Sequence, residues 1–168
     1  MINLEYTGYE RFVTEYETKL PFFVATVGIT EYETTVLRPS GIEDYQLIFT
    51  KEGCGVIEIN GNEKEMPENS FIIIPPLVPH HYRAVTEKWS TYWITYNGFA
   101  AERFFDFSPS IFSLPQPQKF LNDFNRLLNY QNDKEYTNES SCILYEILIN
   151  LKFHISENPV SYKQTAKK

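Results

Sequence analysis

Cysteine, histidine and glycine are scarce in this 168-residue chain: two Cys, three His and seven Gly. Two cysteines, Cys54 and Cys142, build no disulfide framework; they suit a reducing compartment and read as small core residues. A three-ligand metal site needs its histidines together with a carboxylate or thiolate. Here His80 and His81 are adjacent, so on a strand they point to opposite faces, and His154 belongs to a late helix. We therefore expect no metal and no cofactor. Basic residues are also few, 15 Lys and Arg against 22 Asp and Glu for a net charge of −7. They form no cluster able to neutralise phosphates, which excludes a nucleic-acid surface on this piece.

Long apolar runs are missing as well. The longest, residues 71–79, contains three prolines and is too short to span a bilayer. Glu5, Glu10 and Arg11 stand where a signal peptide needs an apolar core. The expectation is a soluble, cytoplasmic chain with no membrane partner. Catalytic signatures are absent too: no Gly-x-Ser-x-Gly, P-loop, Gly-x-Gly-x-x-Gly or Cys-x-x-Cys occurs, and neither cysteine has a basic neighbour in sequence. Carboxylate pairs such as Glu43-Asp44 fall in turns, where solvation explains them. Nothing in the pattern argues for an enzyme.

What is present is enough apolar and aromatic material for one domain. Hydrophobic residues make up 42% and aromatics 16%, which excludes disorder over most of the length. Residues 1–19 are polar with interspersed aromatics (Tyr6, Tyr9, Phe12 and Tyr16) and read as an arm for either a surface or the cover of a pocket. Residues 20–98 read as repeated strands at 22–27, 32–38, 45–50, 55–60, 71–74, 80–86 and 90–97, rich in Val, Ile, Thr, Tyr and Phe. Asn60-Gly61 is a strong hairpin turn because both residues tolerate positive φ. Short strands so closely spaced favour a sandwich, jelly roll or barrel.

The period changes over residues 99–157. Phe120, Leu121, Phe124, Leu127 and Leu128 define one amphipathic helix. A second runs from about 139 to 156, where Glu139, Glu146, Asn150 and Glu157 make one narrow polar stripe. Its apolar residues cover about two faces, whereas a surface helix needs one. One face can pack on the strands; the other calls for a second layer of the same chain or for a dimer partner. Ile143, Ile147, Leu148, Leu151 and Ile155 are the expected homodimer interface. Residues 158–168 read as the start of a linker.

The remaining chemistry lies on strands. Alternation puts Thr91, Trp93 and Thr95 on one face of their strand, and His80, Tyr82 and Ala84 on one face of theirs. Arg38 ends a strand before Pro39. An aromatic plane with Arg, Thr, Tyr or Gln around it suits a sugar, and the same pattern suits plain core aromatics beside a surface charge.

Several segments together resemble the effector-binding domain of AraC-type transcriptional regulators. They are Arg38-Pro39-Ser40-Gly41, Tyr45-Gln46-Leu47-Ile48-Phe49, Gly53-Cys54-Gly55, Pro67 to Pro76, Pro79-His80-His81-Tyr82, Trp89 and Tyr92-Trp93. The resemblance spans residues 20–156. It implies a mainly β fold, a cupin-like jelly-roll β-barrel followed by two α-helices that dimerise, with a small-molecule effector, usually a sugar, inside the barrel. Carried over by position, the ligand-binding residues are Arg38, Tyr82 and Trp93. Thr91 stands where sugar-binding members have a pocket histidine. Gln46, by strand parity, and His80 complete the set. Enzymatic cupins carry histidines on an early strand, and here that strand reads Tyr45 to Thr50 without one, again implying a metal-free pocket. The family contacts DNA through a basic C-terminal domain, expected to lie outside this chain. Two other readings stay open: a metal-free cupin enzyme using His80 or His81 as base, and a dimerisation module with no ligand.

Overall fold

Alternating side chains sort onto two faces of each strand, and the larger of two sheets buries both. A computed structural model describes residues 6–10, 13–106, 108–129 and 136–158, the first five by backbone alone. The strands are β1 (Tyr6–Glu10), β2 (Phe23–Thr30), β3 (Val36–Arg38), β4 (Tyr45–Glu52), β5 (Gly55–Ile59), β6 (Asn62–Met66), β7 (Ser70–Ile74), β8 (His80–Ala84), β9 (Ser90–Asn97) and β10 (Phe112–Ser113). The helices are α1 (Ala101–Phe104), α2 (Gln118–Asn129) and α3 (Tyr136–Glu157). One sheet has the order β1-β2-β9-β4-β7-β10 and the other β3-β8-β5-β6, with every pairing antiparallel. This is the expected jelly-roll arrangement of a mainly β domain with C-terminal helices.

Register fixes what faces inward. Thr26, Thr95, Gln46 and Ile74 form one row across β2, β9, β4 and β7. Gly28, Trp93, Ile48 and Ile72 form the next, followed by Thr30, Thr91 and Thr50. The interior is therefore polar toward β2 and β9 and apolar toward β4 and β7. On the apolar side Ile48, Ile57, Ile59, Met66, Ile72, Ile74 and Trp89 pack together. Trp89 donates its indole N–H to Thr50 at 3.1 Å. It lies so close to β5 that a Cβ on Gly55 would sit 2.4 Å from its ring, so only glycine fits there.

The opposite face of the six-stranded sheet presents Val24, Val27, Leu47, Phe49, Phe71, Ile73, Ile94 and Tyr96 to Phe120, Phe124 and Leu127 of α2 and to α3. Against it α3 buries Ile143, Leu144, Ile147, Leu148 and Leu151, each at most 2% exposed. This corrects the expected dimer interface. Ile143, Ile147, Leu148 and Leu151 belong to the chain's own core, and Ile155 is half-buried against it. Withdrawing any one to meet a second copy would cost about 1.5–3 kcal/mol. The outward apolar stripe of α3 is instead Cys142, Tyr145, Ile149 and Phe153. Glu146, part of the polar stripe, pairs with Lys119 and Arg126 of α2, which also hold the buried Asp123. Within the polar stripe Glu146 thus serves helix–helix contact, while Glu139, Asn150 and Glu157 are exposed.

Besides the two-residue β10, two strands gave no hydrophobic signal. β6 reads Asn62-Glu63-Lys64-Glu65-Met66 because it is an edge strand with only Met66 buried. It forms through the Asn60-Gly61 turn, whose φ values of 53° and 74° match a type I′ hairpin. The other, β1, extends the six-stranded sheet at its edge, placing Tyr6 opposite Thr30 and Tyr9 opposite Val27. Phe12 and residues 159–168 of the expected linker lie outside the described residues.

The segment after β1 is tied to α3 by Glu17, which is 3% exposed. Its carboxylate accepts the Thr14 N–H at 2.9 Å, the Thr14 hydroxyl, and the Thr137 hydroxyl at 3.0 Å. Burial alone would raise its pKa, but these donors outweigh burial and bring it down from 4.5 to about 2. Stability from Glu17 is thus fully present above pH 4.5 and is lost as pH falls toward 2. The Glu17→Gln variant should melt several degrees below wild type at neutral pH, with the gap closing at pH 2–3, as followed by circular dichroism; a gap independent of pH would mean that the charge is irrelevant.

Candidate ligand-binding site

The polar side of the sandwich leaves a cavity of about 290 Å³ lined by Thr26, Thr30, Glu33, Arg38, Ile42, Gln46, Tyr82, Trp93 and Thr95. Four of the six expected ligand residues, Arg38, Gln46, Tyr82 and Trp93, meet here from four different strands. The strand ends explain why. Arg38 is the last residue of β3, opposite His80 on β8, while Tyr82 lies opposite Val36 and Ile57. Gln46 and Trp93 share the inward parity of β4 and β9.

The other two expected residues do not line the cavity. His80 is 1% exposed and sits behind Gln46; Thr91 is fully buried, two rows from Thr95 and opposite Thr30. Both act through a neighbour. Thr91 donates to Glu33 at 2.6 Å. His80 has Nδ1 2.8 Å from the Val78 carbonyl and Nε2 3.2 Å from the Gln46 amide. Burial, with Arg38 and His81 adding to it, pushes the His80 pKa down and favours the neutral ring. Gln46 sets its side-chain amide against Nε2 and also hydrogen-bonds the Tyr82 phenol. The result is one connected polar chain of Tyr82, Gln46, His80 and the Val78 carbonyl. Burial first, and Glu33 second, push the Tyr82 phenol far up, so it stays a donor.

Sequence reasoning missed Thr26, Thr30, Glu33 and Ile42, and noted Thr95 only as a face-mate of Trp93. Thr26 and Thr95 are cross-strand partners with hydroxyls 2.5 Å apart. Thr30 accepts the Trp93 indole N–H at 3.1 Å. Alternation along β2 could have found both threonines. Glu33 is held by its backbone N–H to the Trp89 carbonyl at 2.8 Å, in the loop between β2 and β3, where no periodicity exists.

Larger hollows lie on the helical side. One of about 390 Å³ runs between α2 and α3 beside Leu114 and His154, and one of about 550 Å³ is bordered by Phe22, Phe104, Cys142 and Tyr145. Both are clefts between packed elements. Only the smaller interior cavity gathers polar groups from both sheets around an aromatic plane, which is the build of a ligand site. Among the described residues no group of three or more His, Cys, Asp or Glu is placed to hold a metal, and no helix is long and apolar enough to cross a membrane.

The sequence matches the family model of the AraC-like ligand binding domain over residues 23–148. The chain belongs to this family. The match covers the strands that carry the cavity and reaches into α3. No curated protein matches the chain by sequence. Among solved structures, apo ToxT K231A from Vibrio cholerae is similar at 9% identity and a TM-score of 0.58, over 89% of this chain and 58% of that one. The protein YhaK from Escherichia coli is 6% identical with a TM-score of 0.51, over 66% of this chain and 51% of that one. A cupin 2 conserved barrel domain protein from Salinispora arenicola is 16% identical, with a TM-score of 0.43 over 60% of this chain and 82% of that one. At these identities the likeness to ToxT and YhaK is one of fold alone. The chain spans little more than half of ToxT and of YhaK.

The roles of Gln46 and Arg38 separate by stability. Gln46→Ala strands buried groups on His80 and Tyr82 and should cost about 1–3 kcal/mol in urea unfolding. Arg38 is exposed and makes no ion pair among the described residues, so Arg38→Ala should stay within about 0.5 kcal/mol of wild type. The reverse order would make Arg38 part of the scaffold.

Proposed function

We propose that this AraC-like domain is the effector sensor of a bacterial transcription regulator. It takes a small polyhydroxylated ligand, a sugar, into the barrel cavity and works as a cytoplasmic homodimer. DNA is engaged through a domain outside this chain. The observation that carries the reading is the convergence of Arg38, Gln46, Tyr82 and Trp93, with three threonines and Glu33, on one interior cavity. A sugar offers hydroxyls that donate and accept, and a C–H face for the Trp93 ring. A ligand-free dimerisation module would have a collapsed barrel, so the open space beside Trp93 favours the sensor. A catalyst would use His80 or His81 as base. His80 is sealed behind Gln46, and His81 borders a different hollow with Thr35, Leu37 and Arg83. That arrangement favours binding over turnover.

The strands link ligand and helices. β2 and β9 put Thr26, Thr30, Trp93 and Thr95 into the cavity and Val24, Val27, Ile94 and Tyr96 into the helix-facing core. A ligand that shifts these strands shifts the surface on which α3 rests. The exposed stripe Tyr145, Ile149 and Phe153, at 45%, 43% and 65% exposure, supports dimerisation through the outward face of α3.

A thermal-shift screen against mono- and disaccharides tests the sensor. A sugar at 100 times its Kd should add about 2.7 kcal/mol of stability, and the response should vanish in Trp93→Ala. Arg38→Ala should weaken binding by about 1.5–3 kcal/mol, the range for a charged hydrogen bond. A panel without any hit removes the sugar assignment. Sedimentation tests the dimer: Phe153→Asp should give a folded monomer, whereas Ile147→Ala should lower stability by about 2–5 kcal/mol without changing the association state. An unaltered dimer in Phe153→Asp would place the interface elsewhere.

A further inference from the structure

The cavity contains one anion and one cation that do not pair with each other. Glu33, Arg38 and Tyr82 line the same cavity, yet neither Glu33 nor Arg38 makes an ion pair among the described residues. Glu33 is half-buried and receives three donors from the chain: the Thr91 hydroxyl at 2.6 Å, the Thr30 hydroxyl and the Thr34 backbone N–H. A carboxylate offers about four lone-pair positions, which leaves roughly one for a ligand. All three donors are neutral, and they do not make up for lost solvation: burial pushes the Glu33 pKa up in spite of them. A ligand hydroxyl would add a fourth neutral donor. A ligand ammonium would add charge of the missing sign, in a hydrogen bond roughly twice as strong as a neutral one. Trp93, whose indole N–H Thr30 accepts at 3.1 Å, lines the same cavity. Arg38, at the exposed mouth, offers only donors and suits the hydroxyl oxygens of the same ligand.

We propose that the effector carries a cationic nitrogen and that Glu33 is the residue that selects it, so that the cavity takes an amino sugar in preference to the neutral or acidic sugar of the same skeleton. This rests on the sugar-sensor reading above. The test is calorimetric titration of the chain with matched series: D-glucosamine, D-glucose, N-acetyl-D-glucosamine and D-glucuronate, and the corresponding galactose set. In the series that binds, the amino sugar should bind about tenfold or more tighter than the neutral sugar. N-acetylation, which keeps the nitrogen and removes its charge, should abolish that advantage. E33Q should bring amino and neutral sugars to the same affinity, while E33D, which keeps the charge, should retain the preference. A neutral sugar that binds wild type as tightly as its amino form, or an amino preference that survives in E33Q, overturns the selection by Glu33 and leaves the sugar sensor standing. Failure of every sugar in both series overturns the two together.

Discussion

Burial of the six-stranded sheet on both faces is the constraint from which the rest follows. In β4 every residue from Tyr45 to Thr50 is buried, with Tyr45, Leu47 and Phe49 turned to the helices and Gln46, Ile48 and Thr50 to the barrel. A polar side chain on such a strand has no route to bulk water and must find its partners inside. Thr50 takes the Trp89 indole and donates to the Met66 carbonyl; Thr91 serves Glu33; Gln46 bridges Tyr82 and His80. The interior therefore divides into an apolar half that packs solid and a polar half that stays hollow. Its hydroxyls and amides are held by one another at fixed positions, and closing the hollow would require breaking them.

Much of this was legible in the chain because period-2 and period-3.6 patterns are direct consequences of which face is covered. The strands from β2 to β9, apart from β6, and the two long helices could be placed by pattern. β6 could not, since a mostly exposed edge strand carries no apolar alternation, and neither could the two-residue β10. The helix faces were harder. Composition says that α3 has two apolar faces but not which of them meets the sheet, so Ile143, Ile147, Leu148 and Leu151 were assigned outward when packing needs them inward. Glu146, one member of the polar stripe, meets Lys119 and Arg126 across the helix pair.

For the cavity, parity assigns the face and register assigns the depth, and a single sequence supplies only the first. Thr91 and His80 do share faces with Trp93 and Tyr82. They miss the cavity because the Thr91 hydroxyl is taken up by Glu33 and Gln46 stands in front of His80. Arg38 and Tyr82 came from the family resemblance as much as from period, since an Arg before a proline carries no facing information of its own. Glu33 had no signal of either kind: its position depends on a loop closed by the Trp89 carbonyl, a contact 56 residues away in sequence between Glu33 and Trp89.

The same two-sided burial joins the cavity to the helices without any further device. Thr95 touches the ligand space while its neighbours Ile94 and Tyr96 are packed in the helix-facing core, so inside and outside contacts alternate along one backbone. Close-packed interiors respond to displacement by repacking as units, because compressing or opening them by even a methylene is costly. A ligand that draws β9 toward β8, or separates them, cannot move Trp93 and Thr95 alone. It must carry Ile94 and Tyr96 with them, and these belong to the core on which Ile143, Ile147 and Leu151 rest. The helix face exposed on the far side of α3 is then displaced by the same event that fills the cavity. In a sheet with one solvated face the strain would dissipate into water, and the two sites would be independent.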